Sequence, residues 1–83
     1  MYRLIISPKA KNQLKGVKQI YQKAIKLALE DIKDDPMLGK SLTRELKGKY
    51  SYKVGIYRII YKKNEIDKVI YVLFAGHRAT VYK

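Results

Sequence analysis

The chain has 83 residues, 19 Lys and Arg against 7 Asp and Glu, a formal net charge of +12 and 47% hydrophobic residues. That length holds one small domain over residues 1–83 and excludes a two-domain enzyme, while the apolar fraction excludes a disordered basic tail. With no Cys and one His, disulfides, thiolate zinc sites and cysteine nucleophiles are ruled out, and no metal or cofactor is expected.

Tyr2-Arg3-Leu4-Ile5-Ile6 reads as a short strand, too early in the chain for a cleavable signal peptide. No apolar run approaches the roughly 20 residues that cross a bilayer, so a cytoplasmic location and no membrane partner are expected. Ser7-Pro8 pairs a helix N-cap with proline at the first helical position. A helix therefore starts there, and Gly16 interrupts it. Val17, Ile20, Tyr21, Ala24, Leu27 and Ala28 then recur at spacings of three and four, which predicts a longer helix over about residues 17–34 with these positions as its buried face. Asp34 and Asp35 oppose the helix dipole at that end, so they are expected to leave the helix, with Pro36 ending it. Residues 36–43 read as a loop. From Leu46 onward Tyr, Val and Ile dominate, with Gly55 and Asn64-Glu65 as punctuation, predicting antiparallel strands near 49–54, 57–62, 68–75 and 78–82. The fold class is α+β: an N-terminal strand, two helices on one side, then a C-terminal antiparallel sheet.

Charge is segregated along this layout. Residues 1–29 carry seven Lys or Arg and no acid, and four of the seven acids fall in residues 30–35. Residues 44–83 carry ten basic groups against Glu45, Glu65 and Asp67, together with six of the eight tyrosines. A positive surface interleaved with aromatics attracts polyanions, nucleic acid above all. The alternative is a charge excess that serves solubility. Strand alternation puts Tyr50, Tyr52 and Val54 on one face and Ser51 and Lys53 on the other. The strand from Tyr57 to Lys62 is apolar on both faces and therefore central, with Arg58 on the face of Ile60 and Lys62. An arginine there either meets a carboxylate such as Glu45 or waits for phosphate.

No Walker loop, dinucleotide fingerprint, zinc-protease helix or serine elbow is present, nor a carboxylate pair in a plausible cleft. What remains is Lys, Arg, His and Tyr. These suffice for RNA cleavage through the substrate's own 2′-hydroxyl, which needs a base, an acid and cations to stabilise the phosphorane. An ordinary lysine, with a pKa of about 10.4, is a poor base at neutral pH, and clustering with other cations would lower it toward the useful range.

Three segments carry a resemblance: Glu45-Leu46-Lys47-Gly48, Tyr52-Lys53-Val54-Gly55-Ile56-Tyr57-Arg58-Ile59-Ile60-Tyr61, and Gly76-His77-Arg78-Ala79-Thr80-Val81-Tyr82. In order and spacing they resemble the RelE/ParE superfamily of toxins from bacterial and archaeal toxin–antitoxin systems, and the likeness covers nearly the whole chain. The RelE branch cleaves mRNA in the ribosomal A site without a metal and is held inactive by an antitoxin protein. The resemblance therefore implies a metal-independent, ribosome-dependent endoribonuclease (an mRNA interferase) whose partners are a cognate antitoxin, mRNA and the ribosome. By position it implies Lys53 in base or transition-state chemistry, Arg58 and Arg78 on the scissile phosphate, and Tyr82 stacking on the nucleotide. Where RelE has a second lysine on the same strand this chain has Ser51, so Lys49, Lys62 or His77 would have to substitute, or activity would be reduced. Histidine is the side-chain type that ordinarily titrates near neutrality, which suits His77 to proton transfer; otherwise it is a structural residue at a strand bend. Tyr82 could instead cap the core. Two alternatives remain: a ParE-like inhibitor that blocks a DNA topoisomerase by protein contact, and a catalytically degenerate RNA-binding member.

Overall fold

The computed structural model describes residues 2–42 and 48–77. In chain order they form β1 (Arg3–Ile6), α1 (Pro8–Lys15), α2 (Gln19–Asp34), a 3₁₀ turn (Pro36–Leu38), β2 (Lys40–Ser41), β3 (Lys49–Val54), β4 (Tyr57–Asn64) and β5 (Val69–His77). The five strands make one sheet in the order β1-β5-β4-β3-β2. The α+β class and the sequence of strand, two helices and then an antiparallel-rich sheet agree with expectation. The sheet is mixed, however, because β1 runs parallel to β5 while all other pairs are antiparallel.

Local chemistry sets the helix ends. Ser7 Oγ accepts the Ala10 N–H at 3.1 Å and donates to the Leu73 carbonyl at 3.1 Å, so the cap of α1 is also its tether to β5. Leu73 offers that carbonyl because the β4–β5 register shifts between Ile60 and Tyr61, whose partners are Phe74 and Val72, leaving Leu73 as the extra residue. At the α1–α2 corner, Gln22 Nε2 donates to the carbonyls of Leu14 (3.0 Å) and Val17 (2.9 Å). Asp34 is the last residue of α2, not the first beyond it, and only Asp35 leaves the helix, where its Oδ1 accepts the Met37 N–H at 3.1 Å.

The buried face of α2 differs from the predicted one. Ile25, Ala28, Leu29 and Ile32 are buried, whereas Ile20 is 78% and Leu27 68% exposed. Val17, Tyr21 and Ala28 pack into the core as predicted, Val17 from outside the helix, and Ile20 and Leu27 stand on the solvent side of that stripe. The correct stripe runs Tyr21, Ile25, Ala28, Leu29, Ile32. It packs with Ala10 and Leu14 of α1 against Leu4 and Ile6 of β1, Ile59 and Tyr61 of β4, and Ile70, Val72 and Ala75 of β5. Both helices thus cover one face of the sheet.

The segment read as a loop at 36–43 contains the 3₁₀ turn and β2, and it is fastened from below. The fully buried Tyr61 donates its hydroxyl to the Pro36 carbonyl at 2.7 Å and accepts the Gly39 N–H at 2.9 Å. A Cβ on Gly39 would fall within 2.9 Å of three phenol atoms, so glycine permits this approach. Tyr61→Phe strands a buried carbonyl and N–H, and a loss of about 1–3 kcal/mol in unfolding free energy, measured by urea denaturation, is expected. Burial, the main cause, raises the Tyr61 pKa above its usual 10.0, against the lowering influence of the Gly39 N–H. Since the unfolded phenol ionises first, this stabilisation is complete below about pH 10 and is lost as pH rises through the folded-state pKa. Wild type should therefore lose stability in alkali more steeply than Tyr61→Phe.

Candidate functional site

The site begins with a two-residue turn. Gly55 adopts φ +60, as the first central position of a tight hairpin requires, and the pairing that follows is Val54 with Tyr57 and Lys53 with Arg58. Val54 and Tyr57 join the helix-side core. By alternation, Lys53 and Arg58 therefore share the other face.

That face is built in cross-strand rows. One row holds Lys53, Arg58 and Gly76; the next holds Lys40, Ser51, Ile60 and Phe74. Four residues along β3 from Lys53, about 13 Å away, come Lys49, Lys62, Tyr71 and Ile5. No described strand position on this face is Asp or Glu. Lys49 faces Lys62 and Lys53 faces Arg58, two like-charge pairs directly opposite each other, each costing the sheet a few tenths to about 1 kcal/mol. An anion bound above the pairs would offset that cost. Two half-buried rings accompany the cations, with Lys62 Nζ 5.6 Å from the Tyr71 centroid and Lys9 Nζ 4.5 Å from that of Phe74.

Lys53 is exposed and Arg58 half-buried, its Nε shielded from solvent. Both line a cleft of about 440 Å³ with Leu38, Lys40, Leu42, Ser51 and Tyr52. A larger concavity of about 680 Å³ lies beside Tyr2, Arg3, Lys33 and Lys68 and holds none of the expected residues. The cleft joins an exposed amine to a half-buried guanidinium, the pair that phosphate chemistry uses, whereas the larger hollow has an exposed Arg3 and includes the carboxylate of Asp67.

The expected residues separate into three groups. Lys53 and Arg58 are brought together. His77 is the last residue of β5, not a bend, and it pairs with Tyr57 across the sheet. Its ring lies 6.2 Å edge-on to that of Tyr57, which packs 5.1 Å from Tyr21. His77 thus belongs to the helix-side face, the opposite side from Lys53 and Arg58. Arg78, Tyr82, Glu45 and the strand expected at 78–82 lie outside the described residues. Of the cations weighed against Ser51, Lys49 and Lys62 are on the correct face but in the distant row. Sequence reasoning missed Lys40, which sits directly across from Ser51. A two-residue strand has no periodicity to reveal it.

Residues 4–82 match the family described as ParE toxin of type II toxin-antitoxin system, parDE. The chain belongs to the RelE/ParE superfamily of toxins. Toxin RelG of Mycobacterium tuberculosis is 32% identical over 66 residues, 78% of this chain and 76% of that protein. In structure, the chain is similar to one in the RelBE2 toxin–antitoxin complex of M. tuberculosis, with a TM-score of 0.84, 28% identity, and coverage of 93% of this chain and 98% of the other. The match to a chain of the intact E. coli RelBE complex has a TM-score of 0.81 at 19% identity, over 93% and 96% of the two chains, and shows the shared fold. The α+β layout implied by the three RelE-like segments is therefore that of the superfamily, and the cation rows sit on the sheet face opposite its two helices.

Proposed function

We propose that this toxin is a metal-independent endoribonuclease that cleaves mRNA on the ribosome and so stops translation. The observation that carries the reading is the direct opposition of Lys53 and Arg58 in one cleft, on a sheet face whose described strand positions lack carboxylates. In the reaction the 2′-oxygen attacks the adjacent phosphorus and loses its proton to a base, and the P–O5′ bond breaks. The departing oxygen takes up a proton, and one strand is left with a 2′,3′-cyclic phosphate. Lys53 exchanges the proton or neutralises the attacking oxygen, and Arg58 holds the non-bridging oxygens, whose negative charge grows in the phosphorane. Arg78 is assigned to the same phosphate and Tyr82 to the nucleotide. His77 is assigned no step, because its ring lies on the other face of the sheet.

A cognate antitoxin completes the system. RelBE-type complexes among the structural relatives support such a partner, and a net charge of +12 calls for one with an acidic as well as an apolar contact surface, since charge alone does not distinguish it from RNA.

A second reading, a ParE-like inhibitor of a DNA topoisomerase, is favoured by the description of the matching family. Expression without a partner separates the two. The ribonuclease reading expects growth arrest with amino-acid incorporation falling first and plasmid supercoiling unchanged. Continued protein synthesis with relaxed plasmid would establish the topoisomerase reading instead.

A further inference from the structure

We propose that Lys40 is a phosphate-contacting residue of the site, supplied by β2 to the row in which β3 has only Ser51. This rests on the ribonuclease reading. The register places Lys40 directly opposite Ser51, and Ser51 is one alternation from Lys53 on the same face. Strand geometry then separates the Cα atoms of Lys40 and Lys53 by roughly 8 Å, one strand spacing across and two residues along. Lys49 and Lys62 stand four residues from Lys53 and Arg58. Lys40, Lys53 and Arg58 line one cleft, whose lining also includes Ser51. Among the described residues, these are the cations of that cleft.

Lys40 is also aimed, unlike a lysine on a free loop. Just before it, the Gly39 N–H is bound to the buried Tyr61 hydroxyl at 2.9 Å. Just after β2, the Leu42 N–H donates to the Lys49 carbonyl at 2.9 Å. The two anchors hold the backbone between them, and alternation sends Lys40 to the cleft face while Ser41, paired with Tyr50, takes the other. An ammonium there adds charge where the phosphorane becomes dianionic and needs no proton of its own to move. Its flexible stem reaches into the cleft when RNA enters, and Ser51 is small enough to leave it room.

Alternation also provides the test. Lys40→Ala removes the charge, whereas Lys40→Ala/Ser41→Lys restores it one residue later on the opposite face, at equal net charge. Single-turnover cleavage of mRNA is measured at saturating programmed ribosomes for wild type, Lys40→Ala, Lys40→Arg and the double variant, each verified as folded by its thermal melt. The expected result is a fall of about tenfold or more in Lys40→Ala, substantial retention in Lys40→Arg, and no rescue in the double variant. A wild-type rate in Lys40→Ala, or full rescue by Ser41→Lys, overturns the assignment. In either case a large loss in Arg58→Ala leaves the ribonuclease reading standing, whereas a wild-type protein that cleaves nothing removes that reading and this inference together.

Discussion

Arg58→Ala is expected to lower single-turnover cleavage of mRNA on a programmed ribosome by about two to three decades, the cost of removing one fixed donor from a developing oxyanion. Affinity for single-stranded RNA should fall less than tenfold. The ground-state phosphate carries one negative charge and the phosphorane two, so a guanidinium fixed in place gains more from the second. Arg58 meets that condition structurally: it is half-buried on a central strand, between β3 and β5, and the Gly55 turn fixes its position opposite Lys53. Arg58→Lys should restore only part of the rate, because a point charge loses the bidentate geometry of the fork. An unchanged rate in a folded Arg58→Ala protein would remove this cleft from consideration.

The second large effect is on salt dependence. With Lys40, Lys53 and Arg58 converging on the scissile phosphate and Lys62 on a second phosphate of the strand, log K should fall with log salt at a slope of about −1.4, and raising salt from about 50 to 200 mM should weaken binding by roughly seven-fold. Lys62→Ala should reduce the slope by about 0.7 while leaving the single-turnover rate near wild type, since Lys62 stands in the distant row. Tyr71, beside Lys62 in that row, offers a ring on which a base can stack, a salt-insensitive contribution of about 1–3 kcal/mol. Tyr71→Ala should therefore lower affinity without altering the slope. A slope near zero in the wild type would mean that the basic face does not track a phosphate backbone. The antitoxin complex, with its apolar contribution, should survive salt that releases RNA.

Several features were legible in the residues because their causes are local. Ser7-Pro8 announces a helix start through one hydrogen bond and one fixed torsion, and α1 begins there. Gly55 supplies the torsion for a tight turn, and once that two-residue turn forms, the register sets Lys53 opposite Arg58. The matched segments led to the superfamily because the spacing of a short loop and two strands survives in the chain order. The same reading failed on α2, where two apolar stripes are offered. Burial of Ile25 and Ile32 in place of Ile20 and Leu27 is settled by which stripe meets β1, β4 and β5, contacts made only in the tertiary structure.

What only the tertiary structure decided is which face of the sheet each functional candidate occupies and what stands beside it. His77 and Lys53 are both plausible partners for phosphate as residue types, yet the register of β4 against β5 and of β3 against β4 sends them to opposite sides. A one-residue shift, here the bulge at Leu73, inverts every assignment beyond it, and no local signal in residues 69–77 announces that shift. Lys40 became part of the site through a pairing of two residues with β3 and a phenol twenty-two residues away holding Gly39. The sequence by itself determined the charge, the succession of strand, two helices and sheet, and the superfamily, all properties of composition and spacing. The assembly of three cations in one cleft depends on strand register and buried hydrogen bonds, which exist only once the core has closed.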